Sequence, residues 1–551
     1  MDKQIIKQTF PAYGSLIRIA VVLFATLAVI IIGQTGRELL PPDDLREAEV
    51  AREMYVSGDY IIPHLAGIPF IEKPSGFPFS VTMAYRIAGG PSETAARLTS
   101  VFFAFLSLLF VFLLGNKILG VEGGAFSAAI LGISMRFCRT AHEILLDNAL
   151  TAAVAAAVFF SWIAMDSAET EKKRRAYAAV GFALGMAFLF KGLVGLVVFS
   201  SGFLLYIILS RRFSEFRHII SLLPVAAFLL PVLGWLIPFV LTAPPEIIHE
   251  FFIKNHLNRF LSAYLSNERP FYFYLLNIWV DFIPGGIILP LSIFMVWRYR
   301  HDEKKQAGVF LLCLFTAPLV VLSFSKAKDL VYFLPVYPAM AVLVIFGIWK
   351  KGIFESGWMR IVPWVMLSAS ALWSAFMSVL TAIWKGNLIV VSVSILITIS
   401  AFCAGAVSIR KHSLRWTGTF FVVLCSLAWC LWFTGPVAEA EVEDKSISRQ
   451  MDEMLSITGN REMLLYIPND GLRGYAGFYG KGEVREVVSP YDVVSLLGKN
   501  NDKAVILTYS SNKDTIPQEL TYAAKDTGLS LKIEAAVDFG NRFLLVISSM
   551  P

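Results

Sequence analysis

Two acids, Asp43 and Asp44, follow directly on Pro41-Pro42 and open the charged stretch LREAEVAREMYVSGD. Asp44 as N-cap with Glu47 three residues later has capping-box form. That reading gives both a structural duty and leaves Asp43 as the carboxylate without one. Glu72-Lys73-Pro74 then sets an acid and a base beside the start of another apolar stretch. Asp147, in AHEILLDNALTAA, opens an apolar run near His142 and Glu143; it reads as an N-cap, a partner for a lysine, or a functional acid. Lys191 in FLFKGLVG, and Lys326 and Lys328 in SFSKAKDLVYFLP, stand at ends of apolar runs. One such lysine reads as a snorkelling side chain. Taken with Lys73 and Arg259, the set suits a lipid phosphate held by charge-assisted hydrogen bonds. His256 lies one helical turn before Arg259 and reads as a hydrogen-bonding residue, because no paired metal-ligand spacing accompanies it.

The elements that must position these side chains are set by composition. The chain has 551 residues, 56% hydrophobic and only 16% charged, with a mean hydropathy of +0.63. Apolar runs of about 20 residues recur along it, as in a polytopic α-helical membrane protein. The first run, 15–33, reads as a retained anchor, with no small-residue cleavage site before the charged stretch. Further spans are expected near 95–114, 124–135, 150–165, 176–189, 193–209, 219–241, 272–297, 307–324, 330–349, 361–384, 387–409 and 416–433. That makes about thirteen spans by length and hydropathy. The stretch 77–90 is short and reads as an interfacial helix.

Basic residues fix an expected orientation. Lys172 to Arg175, Arg211, Arg212, Arg217, Arg298, Arg300, Lys304, Lys305, Lys350, Lys351, Arg360, Arg410, Lys411 and Arg415 all fall in alternate loops. The positive-inside rule makes that side cytoplasmic. The N-terminus is then inside and the C-terminal region outside. Asp43, Lys73, Asp147, Lys191, Arg259, Lys326 and Lys328 gather on the outer side.

In the first outer loop, 34–94, Leu45, Ala48, Ala51, Met54 and Tyr55 share one face of a helix ended by Gly58, so a helix lying on the membrane surface is expected. From about Val437 the composition becomes that of a soluble domain, giving a membrane domain over 1–436 and an outer domain over 437–551. Strands are expected near 463–467, 484–488, 504–508, 531–538 and 542–547, separated by helices near 446–457, 490–498 and 517–525, hence a small α/β domain. It has no cysteine and no glycine-rich phosphate loop. The five cysteines offer neither a disulfide framework nor zinc spacing. A transporter or flippase would explain many spans, but would place ionisable residues near the midplane and often carry internal repeats.

The pattern PDDLREAEVAREMYVSGDYIIPHLAG…FIEKP resembles the first outer loop of the bacterial lipid A aminoarabinose transferases. These stand with the protein O-mannosyltransferases among the polyprenyl-phosphate-sugar-dependent glycosyltransferases of the GT-C fold. The likeness continues through LLDNAL, the Lys191-Gly192 pair, FFIKNHLNRF, ERPFYFYL and KAKDLVYFLP. It implies that Asp43 is the catalytic-loop acid, that Asp147 is a second functional acid, and that Lys73, Lys191 and Arg259 contact the lipid phosphate. Tyr332 matches a tyrosine near the lipid-carrier cavity, and Glu72 and His256 match positions associated with bound zinc. The sequence departs from the family pattern at Asp44, at Glu47 and in KAKDLVY. The resemblance implies a membrane glycosyltransferase of the bacterial inner membrane with its C-terminal domain in the periplasm. Its donor would be a polyprenyl-phosphate sugar, its acceptor lipid A or another envelope molecule, or protein Ser/Thr in the mannosyltransferase variant. No nucleotide cofactor and no nucleic-acid partner are expected.

Overall fold

The computed structural model describes residues 13–253, 268–298, 305–349, 360–385, 388–480, 482–500, 503–539 and 542–550. Among these, nine helices are long and apolar enough to cross a membrane, from Tyr13–Ile31 to Leu414–Thr434, and a bent pair makes up to ten. The expectation of about thirteen spans therefore exceeds what length and hydropathy alone support. Val121–Gly132 and Val194–Ser210 are apolar but shorter. At 1.5 Å per residue, 12 residues reach only about 18 Å, against a hydrocarbon core of about 30 Å. Thr170–Lys191 is longer, but Glu171, Lys172, Lys173, Arg174 and Arg175 occupy its first turns. Large apolar side chains such as Phe24, Leu230, Leu372 and Leu396 are exposed on the long helices, where lipid rather than water would meet them.

The single span expected over 272–297 is broken. Phe273–Asp281 and Gly285–Arg298 meet at 112°. Pro284 supplies no N–H to continue the first helix, and Gly285 and Gly286 lie so close to Phe282 and the Trp279 backbone that a Cβ would collide.

The first-loop helix runs Asp43–Ser57 and ends at Gly58, whose φ of 72° is the left-handed C-cap that glycine adopts without strain. Its N-terminus corrects the capping-box reading. Pro42 is the N-cap residue and no side chain caps the helix. Asp44, 6% exposed, instead accepts a hydrogen bond from the Ile144 N–H at 2.8 Å and lies 3.6 Å from buried Arg97. Arg97 in turn donates to the carbonyls of Arg37 and Glu38. Burial pushes the Asp44 carboxyl above its ordinary range, and Arg97 opposes that shift. Asp44 thus ties the loop to the membrane domain.

The helix is packed between two parts of the protein. On one side it packs against Gly76–Ala88, where Tyr85 Oη donates to the Ala48 carbonyl at 3.2 Å and Thr82 Oγ1 to that of Ala51 at 3.0 Å. On the other side it meets the C-terminal domain. Of its polar residues, Asp44, Glu47 and Glu49 are buried. Between the two helices, His64–Leu65 and Ile68–Pro69 form a two-residue hairpin whose turn, Ala66-Gly67, has positive φ at both positions.

The C-terminal domain is a five-stranded mixed sheet. Glu462–Leu465 lies parallel to both Val484–Glu486 and Ala504–Ser510, while Phe543–Ser549 runs antiparallel to Ala504–Ser510 and to the edge strand Leu531–Asp538. This matches the expected small α/β domain. Two helices escaped the sequence reading, Pro436–Lys445 and the more consequential Asp470–Tyr479, with glycines at 471, 474 and 477. The latter docks on the first-loop helix. A Cβ on Gly474 would stand 2.7 Å from Leu45 Cβ, and one on Gly477 would collide with the Glu49 carboxylate. The Glu486 N–H also donates to the Ala66 carbonyl at 2.8 Å. Gly474→Val is expected to cost about 1–3 kcal/mol by overpacking, read as a lower melting temperature and faster proteolysis of the C-terminal domain. An unchanged melt would mean that the two helices part without cost.

Glu49 adds a pH dependence to this interface. Arg52 grips it with two bonds of 2.6 and 2.8 Å, yet burial pushes its carboxyl up to about 8. The unfolded chain releases that proton near the ordinary value of 4.5. The folded state therefore holds more protons between those values, and its stability from this group is full below the lower value and falls as pH rises toward 8. Glu49→Gln should flatten the decline of melting temperature between pH 5 and 8. An identical slope in the variant would remove Glu49 as its source.

Candidate active site at the first loop

The site is built where the first-loop helix meets the ends of two long helices. Lys191 is the last residue of Thr170–Lys191, and Asp147 the second of Leu146–Asp166. Their side chains meet at 2.5 Å with both residues buried. The Lys191 ammonium also lies 4.6 Å from the centre of the Tyr332 ring, a cation–π distance. Tyr332 is carried on the 3₁₀ turn Leu330–Val336, which Asp329 caps by accepting from the Val331 N–H and which Tyr274 pins by donating to the Asp329 carbonyl at 3.0 Å. Asp147 is the partner of a lysine, and Leu145 rather than Asp147 is the N-cap residue of its helix. His142 does not share that role: its ring nitrogens face the carbonyls of Cys138 and Ile32, and its ring stacks on Phe433.

The first loop supplies the second half. Glu72 and Lys73 pair at 3.2 Å, and Lys73 lies within electrostatic reach of both Glu47 and Asp147. Glu47, Glu72, Lys73, Leu146 and Phe190 enclose about 20 Å³, room for one polar atom and not for a sugar ring. Asp43 stands at the helix start, half exposed, 2.6 Å from the Arg46 guanidinium. The same guanidinium reaches Glu47 at 3.3 Å and Asp470 of the C-terminal domain at 3.2 Å. Asp43 is thus not without contacts, although unlike Asp44 it faces open space. Burial pushes the Glu47 carboxyl upward, opposed first by Arg46 and then by Lys73.

The structure therefore brings together Asp43, Glu72, Lys73, Asp147, Lys191 and Tyr332. It does not bring in the other two lysines. Lys328 is buried, with its ammonium spent on the carbonyls of Ser325 and Arg269. Lys326 is exposed, and no contact among the described residues ties it to the cluster. His256 and Arg259 lie outside the described residues. Arg46, Glu47 and Asp470 were missed. Arg46 and Glu47 fall three and four positions after Asp43, on its own helix face, which was the available signal.

The zinc expectation finds one candidate ligand here. Among the described residues no three His, Cys, Asp or Glu side chains are grouped to hold a metal, and Glu72 is engaged by Lys73. The described residues thus supply one of the four ligands that a zinc site takes.

Fold and site together define a multi-pass membrane protein with an acid–cation cluster where its first loop meets the ends of two long helices. The family model described as dolichyl-phosphate-mannose-protein mannosyltransferase matches residues 72–237, a stretch that includes Glu72, Lys73, Asp147 and Lys191. Two curated relatives are named undecaprenyl phosphate-alpha-4-amino-4-deoxy-L-arabinose arabinosyl transferase. That of Erwinia tasmaniensis is 29% identical over 56% of this chain and 55% of its own. That of Pectobacterium atrosepticum is 28% identical over 78% and 77%. The chain thus spans about half the length of the first of these relatives. The crystal structure of ArnT from Cupriavidus metallidurans bound to undecaprenyl phosphate superposes with a TM-score of 0.72, covering 98% of each chain at 20% identity. The chain is similar to bacterial aminoarabinose transferases in sequence and has the fold of that ArnT, as the first-loop resemblance implied.

Proposed function

We propose that this protein is a glycosyltransferase that moves a sugar from a polyprenyl phosphate to an envelope acceptor, lipid A being the one that the relatives suggest. The observation that carries the reading is the buried Asp147–Lys191 pair beneath Tyr332, with Lys73 beside it, at the mouth of apolar spans. A lipid phosphate has its anion at that depth and its tail among those spans. The relatives' names and the ligand of the Cupriavidus ArnT support the same donor class. The working arrangement is about thirteen crossings, with the short helices Val121–Gly132 and Val194–Ser210 and the helix Thr170–Lys191 counted among them. The N-terminus is cytoplasmic, and the C-terminal domain stands in the periplasm of a bacterial inner membrane.

In the reaction, the bond from the sugar's anomeric carbon to the phosphate oxygen breaks and one to the acceptor oxygen forms, inverting the centre. Polyprenyl phosphate leaves as an anion, so cations suffice to stabilise the developing charge, without a nucleotide or a general acid. Lys73 and Lys191 are placed for this, with Arg259 as a further phosphate contact. Asp43 orients the acceptor, or takes its proton when it is a hydroxyl; an acceptor phosphate is already anionic. The family model's description favours one second reading, a protein hydroxyl as acceptor. Purified protein given a labelled polyprenyl-phosphate sugar decides between lipid A and a Ser/Thr peptide, and no product with any acceptor would overturn the proposal.

Lys73→Ala should weaken both the donor and the released polyprenyl phosphate about 10- to 100-fold, the scale of a charged hydrogen bond. Donor and product share the phosphate and not the sugar, so the two losses should run in parallel. Lys73→Arg should rescue only in part, because the two cations differ in geometry. A loss of donor affinity with product affinity unchanged would move Lys73 to sugar recognition. Zinc at Glu72 and His256 is a separate proposal: metal analysis should find up to about one equivalent, lost on His256→Ala. Full activity in a strong chelator would make such a metal incidental.

A further inference from the structure

A second opening lies beside Asp43, between the start of the first loop and the C-terminal domain. It has a volume of about 570 Å³, with Pro41 and Pro42 as one wall and Asp470, Tyr509, Phe539 and Arg542 as the other. No residue of a membrane-crossing helix lines it. The Arg542 guanidinium lies 3.9 Å above the Tyr509 ring, and Phe539 meets that ring edge-on at 5.7 Å. Tyr509 is held in place by donating its hydroxyl proton to Asn469 Oδ1 at 3.3 Å. The cation sits over the ring face, and among the described residues no carboxylate lies in ion-pair contact with it. Asp470 is already committed to Arg46 and to Arg473, at 3.2 and 2.9 Å.

A planar arginine, seated over a ring face and facing an open cleft, suits a phosphate or carboxylate bound through two parallel N–H bonds. The aromatic walls suit the apolar faces of a sugar ring. Pro42 directly precedes Asp43, and Arg46 joins Asp43 to Asp470, so a ligand in the cleft lies one side chain away from the acid. The donor has no place there, because its polyprenyl tail needs the apolar spans. We infer that this cleft docks the anionic saccharide headgroup of the acceptor, with Arg542 on the anion and Tyr509 and Phe539 against the ring. The inference rests on the glycosyltransferase reading above, and it gives the C-terminal domain a part in choosing the acceptor.

The test uses the full chain in detergent, with Arg542→Gln, Arg542→Lys and Tyr509→Leu compared at matched melting temperature. Arg542→Gln should raise the KM for a phosphorylated lipid-saccharide acceptor about tenfold or more, the scale of a charge-assisted hydrogen bond, with donor KM and kcat within about twofold. Arg542→Lys should fall between, and Tyr509→Leu should raise acceptor KM alone. In a separate arm that needs no turnover, glucosamine 1-phosphate, glucuronate and neutral glucosamine are titrated into the wild-type protein and followed by NMR. Binding of the phosphate sugar alone assigns a phosphate headgroup, and binding of glucuronate alone assigns a carboxylate; in either case Arg542→Gln should abolish it. Binding of neither anion, or an unchanged acceptor KM in a folded Arg542→Gln protein, overturns the inference. A wild-type protein that binds the anionic sugar through Arg542 but transfers nothing would overturn the glycosyltransferase reading and leave the cleft as an anionic-saccharide site.

Discussion

Asp43→Asn is expected to lower sugar transfer to a hydroxyl acceptor by about 100- to 10,000-fold, the range for loss of a positioned proton acceptor, at unchanged yield and melting temperature. The side chain is half exposed and, among the described residues, has a single partner, Arg46 at 2.6 Å. Asparagine keeps the shape and one accepting oxygen, so the helix start and the Arg46 contact survive while the charge goes. Asp44→Asn should fail in a different way. Although asparagine is a good N-cap, Asp44 caps nothing. It is buried, takes the Ile144 N–H and faces Arg97, so its loss leaves a buried guanidinium without its carboxylate. That variant should be poorly folded, with transfer falling in proportion to the folded fraction. Measuring turnover per folded molecule separates the two. If Asp43→Asn turns over at the wild-type rate, Asp43 is outside the mechanism. If Asp44→Asn is stable and dead, the register of the catalytic acid is off by one residue.

That pair also marks how far the sequence could be read. Both acids, the Glu72-Lys73 pair, Asp147 and Lys191 could be picked out because carboxylates and lysines at the edges of apolar runs are costly and rarely idle. Their assembly into one cluster followed from placing the loops on one side, and the structure joins Asp147 to Lys191 and brings Lys73 near them. What failed was local register and long-range burial. The N-cap was placed two residues late because Pro42 begins the helix through its backbone alone. The first-loop helix looked half solvated because its polar face has no partner nearby in sequence. That partner, the glycine-spaced helix Asp470–Tyr479, lies more than 400 residues on. Its small residues at 471, 474 and 477 were the only local sign of close helix contact. Lys328 looked like a phosphate ligand by type and place, yet a lysine can equally be consumed by carbonyls, and sequence does not say which. The break at 282–284 was signalled by Pro284-Gly285-Gly286, a run that a hydropathy window averages away.

The Asp147–Lys191 pair should give the largest stability effect in the protein. A buried ion pair of this kind is a poor source of stability, since removing two charges from water costs about what their attraction returns. Losing one partner is another matter. Asp147→Ala should destabilise the protein by about 3–5 kcal/mol, because the Lys191 ammonium is left charged and buried without its carboxylate, beside the Tyr332 ring. Lys191→Ala should cost a similar amount by stranding the carboxylate. Replacing both together, Asp147→Leu with Lys191→Met, removes the uncompensated charge and should return the melting temperature to near that of the wild type. Transfer should stay lost, because the lysine that would meet the donor phosphate is gone. The coupling energy of such a cycle separates pairing from the sum of two independent packing losses. Stability is read by thermal unfolding in detergent and activity by transfer from a labelled polyprenyl-phosphate sugar. If the double variant recovers both stability and transfer, the pair is a packing device and the phosphate site lies elsewhere. If Asp147→Ala alone melts at the wild-type temperature, the two side chains do not depend on one another. Recovery of fold without recovery of chemistry is the result that places Lys191 at the donor.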